Sequence, residues 1–161
     1  MSIGASKCVV RKYCTQHWQR KWNITDSGRS TYELIPIVSQ KPQLPSCRST
    51  SVSVVRILLH ESQLHRQCYR LPANTVQLCH CGHSVDDLEH FFLECQQYDK
   101  SRQELTSVIK DVWNNSEQSE KCSITVPLLL APTVNSNLST LDCQAILSCT
   151  FKFIQQSGRI L

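Results

Sequence analysis

From Val9 to Trp22, Val10, Tyr13, His17 or Trp18 and Lys21 or Trp22 recur at three- and four-residue steps, which predicts a basic, aromatic helix. Trp18 and Trp22 lie four apart and share a face, so they either dock on a core or stack on bases. After a turn at Asp26-Ser-Gly28, the run Thr31-Tyr-Glu-Leu-Ile-Pro-Ile-Val38 has the β-branched and aromatic content of an extended segment, with Pro36 confining it to an edge. Residues 39–51, with Pro42 and Pro45, read as a connector. Val54 to Leu59 predicts a helix capped by Ser51 or Ser53, and Gln63 to Tyr69 a second short one. Ser84-Val-Asp-Asp87 resembles a capping box that opens a helix with Leu88, Phe91 and Phe92 inward. A longer helix follows from Gln97 to Trp113, with Leu105, Val108, Ile109 and Val112 at core spacing. Residues 119–137 read as irregular or extended. Ser139-Thr-Leu-Asp142 opens a last helix carrying Leu141, Ala145, Ile146, Cys149 and Phe153.

The predicted fold is mostly α: a small helical zinc-knuckle module with a short extended segment near residues 31–38. Residues 1–48 form a basic helix and connector, 49–116 the helical module, and 117–161 a tail ending in a helix. A chain of 161 residues buries roughly 70% of its unfolded surface, so it needs no covalent staples. Its ten cysteines therefore call for another explanation. The first 25 residues contain no apolar core of secretory-signal length, which makes the sequons at Asn23, Asn114 and Asn137 chance matches. The longest apolar stretch, Ile124 to Ala131, falls far short of the about twenty residues a membrane span needs. The expected setting is intracellular, nuclear or cytoplasmic, where clustered thiols point to metal.

Net charge is +4, but it is unevenly spread. Residues 1–70 carry eleven Lys and Arg against Asp26, Glu33 and Glu61, a net +8, while the remainder is net −4. A basic half implies a polyanionic partner, most simply the backbone of RNA or DNA bound without sequence preference. The cations proposed for phosphate contact are Lys7, Arg11, Lys12, Arg20, Lys21, Arg56, Arg66 and Arg70.

Between Cys79 and Cys95 the chain reads CHCGHSVDDLEHFFLEC, with three cysteines and three histidines in seventeen residues. Cys79 and Cys81 precede Gly82, whose tolerance of positive φ lets the chain turn back after presenting two thiolates. His90 and Cys95 come from the following helix at a spacing found in small zinc sites, particularly where a helix end is loosened. Cys79, Cys81, His90 and Cys95 would bind Zn²⁺ through all four tetrahedral positions, leaving none for a catalytic water. His80 or His83 can replace one cysteine in a slightly different knuckle, and buried thiols beside a core histidine are the plain alternative.

The cluster with Leu88-Glu-His-Phe-Phe-Leu-Glu-Cys95, then Tyr98 and Arg102, resembles the C-terminal zinc-binding region of non-LTR retrotransposon reverse transcriptases, downstream of their RNase H domain. Trp18, Trp22, Gly28-Arg29 and Ile35-Pro36 resemble the joining segment, and Val55-Arg-Ile-Leu-Leu-His60 with Leu64 and Tyr69-Arg70 a helix pair in that region. Leu88 stands where valine is usual, and the glycine usual before His60 is missing. The resemblance spans roughly residues 9 to 110 and implies template or target binding without catalysis. The acidic sets that polymerase and RNase H sites use to hold Mg²⁺ are not found. An adaptor whose C-terminal helix docks a protein, or an inert retroelement remnant, are the rival readings.

Overall fold

A computed structural model describes residues 3–64, 78–82, 85–115, 123–135, 138–159 and 161. Among them it is mostly helical and contains no strand, only an isolated antiparallel bridge between Leu78 and Val85.

Helix α1, Ile3–Ile24, is long and joined to the rest through its last turns. Gln19 donates to the Pro36 carbonyl at 2.7 Å and accepts the Val38 N–H at 2.8 Å, and the Trp22 indole N–H donates to the Ile35 carbonyl at 2.9 Å. Gly28 takes φ 72° and lies so close to the Trp22 ring that an added Cβ would meet it at 3.4 Å. That turn starts α2, Arg29–Leu34.

The extended segment expected at residues 31–38 is therefore corrected: 31–34 complete α2, and only 35–38 are non-helical. Packing overrides the strand preference, with Tyr32 against Trp22 (ring centroids 5.9 Å apart) and Leu34 buried. Pro36 then pushes Ile35 out of the helical region and ends α2.

Helix α3, Arg48–Leu58, starts earlier than expected, with Cys47 rather than Ser51 or Ser53 at its N-cap. Ser51 instead donates to the Pro45 carbonyl, while Ser53 turns inward beside Val54, Ile57 and Leu58. Gln63 and Leu64, the expected start of a second short helix, lie in a bend with Leu64 buried, and residues 65–69 lie outside the described residues.

Helix α4, Asp99–Asn115, buries Leu105, Ile109 and Val112 as their spacing requires. Residues 126–135, expected to be irregular or extended, instead form α5, Val126–Leu130, and α6, Pro132–Asn135. Both prolines stand in a first turn, where the missing N–H costs no helical bond, and the Thr125 hydroxyl caps α5 through the Leu128 N–H.

Helix α7, Thr140–Gln156, starts with the expected capping box: the Asp142 N–H donates to Ser139 Oγ at 3.2 Å, and the Ser139 N–H donates to Asp142 Oδ2 at 3.3 Å. It lies against α4 and also contacts α3, α5 and α6. Its buried Thr150 satisfies its hydroxyl on the Ile146 carbonyl at 2.9 Å. The helix's apolar face is thus used within the chain, leaving Leu141, 76% exposed, as its large apolar surface residue. One hydrophobic core unites Leu34, Val54, Phe91, Leu105, Val126, Phe153 and Leu161, drawing on all three predicted segments.

Candidate metal centre

The first two candidate ligands come from a tight turn. The Gly82 N–H donates to the Cys79 carbonyl at 2.7 Å and Gly82 takes φ 77°, so Cys79 and Cys81 are presented just before the chain reverses. Helical rise resumes only at Leu88. The start expected at Ser84 is replaced by Asp87, whose Oδ1 accepts the His90 N–H at 2.9 Å; Ser84 itself lies outside the described residues.

The second two candidate ligands depend on a widened turn. In a regular α-helix, residues five apart point about 140° away from each other, at about 100° per residue. Here His90–Glu94 is a π-helical turn, closed by the Cys95 N–H to the His90 carbonyl at 2.7 Å. An i-to-i+5 turn of this kind inserts one extra residue and brings positions five apart onto one side. Arg102 gathers the carbonyls freed where the turn ends: Nε donates to Phe92 at 2.9 Å and Nη2 to Cys95.

The ligand atoms of Cys79, Cys81, His90 and Cys95 all lie within 4.8 Å of one another, close enough to hold a metal ion. Cys79 Sγ and Cys95 Sγ are 3.7 Å apart, far beyond a disulfide bond and close to the edge of about 3.8 Å spanned by two thiolates on a tetrahedral ion with metal–sulfur bonds near 2.3 Å. His90 Nε2 faces Cys81 Sγ at 3.2 Å. The other ring nitrogen, Nδ1, is buried without a hydrogen-bond partner, and the Glu94 carboxylate stands 3.6 Å away. Burial pushes the Cys95 thiol up to about 11, with the adjacent Cys79 thiol adding to the rise. Three thiolates at this spacing repel in a dry pocket, and a dication is the group that reverses that penalty.

His80 is exposed and stands outside this group, and His83 lies outside the described residues. Comparison with protein-family models, characterised proteins and solved structures found no match.

The cations are placed differently. Lys7, Arg11, Lys12, Arg20 and Lys21 are all exposed on α1. Arg56 is half-buried and donates to the Leu161 carbonyl at 3.0 Å, in an open groove of about 660 Å³ between α3 and the end of α7. Arg66 and Arg70 lie outside the described residues. The groove also receives Arg48 and Arg159, which sequence reasoning did not single out. Arg159 pairs with the buried Asp86 and sits 5.9 Å from the Phe91 ring, tying the end of α7 to the segment that leads into the ligand helix. Nothing in the local pattern marks a pair 73 residues apart.

The setting of Cys47 likewise comes from the start of α3, which local spacing does not mark. Its thiol is lowered to about 6, chiefly by the Ser49 hydroxyl 3.2 Å away and then by the Thr50 N–H. Iodoacetamide is therefore expected to label Cys47 readily at pH 7, with a rate that halves near pH 6 and falls further in more acidic buffer. Peptide mapping of a labelling time course checks this; a Cys47 rate still rising steeply above pH 8 would contradict it.

Proposed function

We propose that the chain is a zinc-stabilised nucleic-acid-binding module, similar in kind to the region that follows the RNase H domain in non-LTR retrotransposon reverse transcriptases. The observation that carries this reading is the convergence of three sulfurs and one imidazole nitrogen within 4.8 Å. Such donors favour Zn²⁺ over Mg²⁺ or Ca²⁺, and four protein ligands leave no open position for a reacting water, so the ion's role is structural. Three thiolates and Zn²⁺ leave the centre at about −1, so the ion itself does not attract phosphate. Phosphate contact falls to Lys7, Arg11, Lys12, Arg20, Lys21, Arg56, Arg66 and Arg70, of which the first five form an exposed series on a helix without a single acidic residue.

Fluorescence anisotropy with labelled RNA and DNA at graded salt tests this. If six cations engage phosphate, log affinity falls against log salt with a slope of roughly −4 to −5. A flat salt response, or no binding at low salt, would contradict the nucleic-acid reading while leaving the metal centre standing.

A further inference from the structure

Among the described residues, helix α1 is attached to the fold through its last turns. It is 22 residues long, and the attachments run through Gln19 and Trp22 and through Arg29, which donates to the Trp22 carbonyl. Tyr13 is 70% exposed and Trp18 is 61% exposed, an unusual state for large aromatic side chains with no part in a core. The Tyr13 and His17 rings lie nearly parallel, 12° apart in plane and 6.4 Å between centroids.

At about 100° per residue, Lys7, Arg11, Tyr13, Trp18, Arg20 and Lys21 spread over an arc of about 180° that leaves out the docking Gln19, while the docking Trp22 lies at the arc's edge beside Arg11 and Trp18. The four cations of that half span about 21 Å along the axis at 1.5 Å per residue. No carboxylate on the helix neutralises them. A surface with this charge and with rings between its charges complements a chain that presents phosphates and flat apolar faces together. A duplex offers phosphates but keeps its base faces stacked inside, whereas a single strand offers both.

From this we infer that the outer half of α1 is a binding surface for single-stranded nucleic acid, on which bases stack against Tyr13 and Trp18 while Lys7, Arg11, Arg20 and Lys21 engage the phosphates. The inference rests on the nucleic-acid reading above and adds strand type and location to it. It also separates the two tryptophans: Trp22 fixes α1 to α2, and Trp18 meets the ligand.

The test compares binding of a labelled 20-nucleotide single strand and of a duplex of equal length to the metal-loaded full chain. Tyr13→Ala with Trp18→Ala is expected to weaken single-strand binding at least about tenfold, since removing one stacking ring typically costs 5-fold or more, and to change duplex binding less than twofold. Tyr13→Phe with Trp18→Phe is expected to restore it. Replacing Lys7, Arg11, Arg20 and Lys21 by Gln is expected to make the single-strand salt slope shallower by about 3. Unchanged metal content and melting temperature in each variant show that the fold is intact.

If the wild-type chain binds strands but the α1 variants bind them equally well, this inference is overturned and the broader reading survives. If the wild-type chain binds neither strand nor duplex, both fail. Displacement of α1 by acidic polypeptide but not by oligonucleotide would place a protein on this surface instead. Dimerisation lost in the aromatic variant, with strand binding unaffected, would place a second copy there; either result overturns the proposal.

Discussion

Replacing Cys81 by Ser is expected to lower bound zinc from about one ion per chain towards none and to destabilise the fold by several kcal/mol, because in a small metal module the binding energy is also folding energy. Cys81 is the informative ligand. It is only half-buried, whereas Cys79 and Cys95 are buried, so its exchange for Ser removes a donor while disturbing packing least. Metal analysis of protein purified without added metal, followed by urea unfolding, measures both effects. A chelator should bring the wild-type chain to the stability of the variant and leave the variant unchanged. The loaded chain should also lose metal and stability as pH falls, since protons compete for the thiolates. Unchanged zinc content in Cys81→Ser would transfer the position to His80 or His83.

Phe153→Ala should cost about 3–5 kcal/mol in the same unfolding measurement, the range for removing a fully buried phenylalanine. Its ring lies 5.3 Å from Phe91, 5.5 Å from Phe92 and 6.1 Å from Tyr98, so one truncation removes three aromatic contacts as well as buried area. Phe91 and Phe92 belong to the π-helical turn that also carries His90. Through Phe153, α7 therefore packs against the back of the turn that carries the candidate ligand His90, and the variant should bind metal more weakly than the wild-type chain. A loss below about 1 kcal/mol with unaltered metal affinity would show that α7 does not support the turn.

Local signals were the legible ones. The Ser139–Asp142 capping box and the α4 stripe of Leu105, Val108, Ile109 and Val112 follow from spacings of three and four residues; the box is present and the stripe faces the core, with Val108 half-buried at its side. That Cys79, Cys81, His90 and Cys95 come together was legible because thiol and imidazole spacing needs little tertiary knowledge. What the spacing did not specify was the π-helical turn that makes a five-residue step face one way. Misreadings came where a distant partner decides the outcome. Tyr32 and Leu34 have strand-like neighbours in sequence, but Trp22 and the core hold them in α2. Residues 119–137 read as irregular or extended, yet Pro127 and Pro132 each occupy a helix start where proline fits. Trp18 and Trp22 share a face by spacing, but only Trp22 reaches the turn at Gly28 and the Ile35 carbonyl. The Arg159–Asp86 pair depends on the path of α7 and has no counterpart in any short window.

Cobalt titration of the metal-free chain addresses the central claim most directly, because it reports ligand type, geometry and stoichiometry together. One equivalent of Co²⁺ should produce intense thiolate-to-metal charge-transfer bands and the visible bands of a tetrahedral ion, and one equivalent of Zn²⁺ should bleach both. Absence of charge-transfer bands at saturating Co²⁺ would contradict the account, since it would mean that Cys79, Cys81 and Cys95 do not meet on a metal.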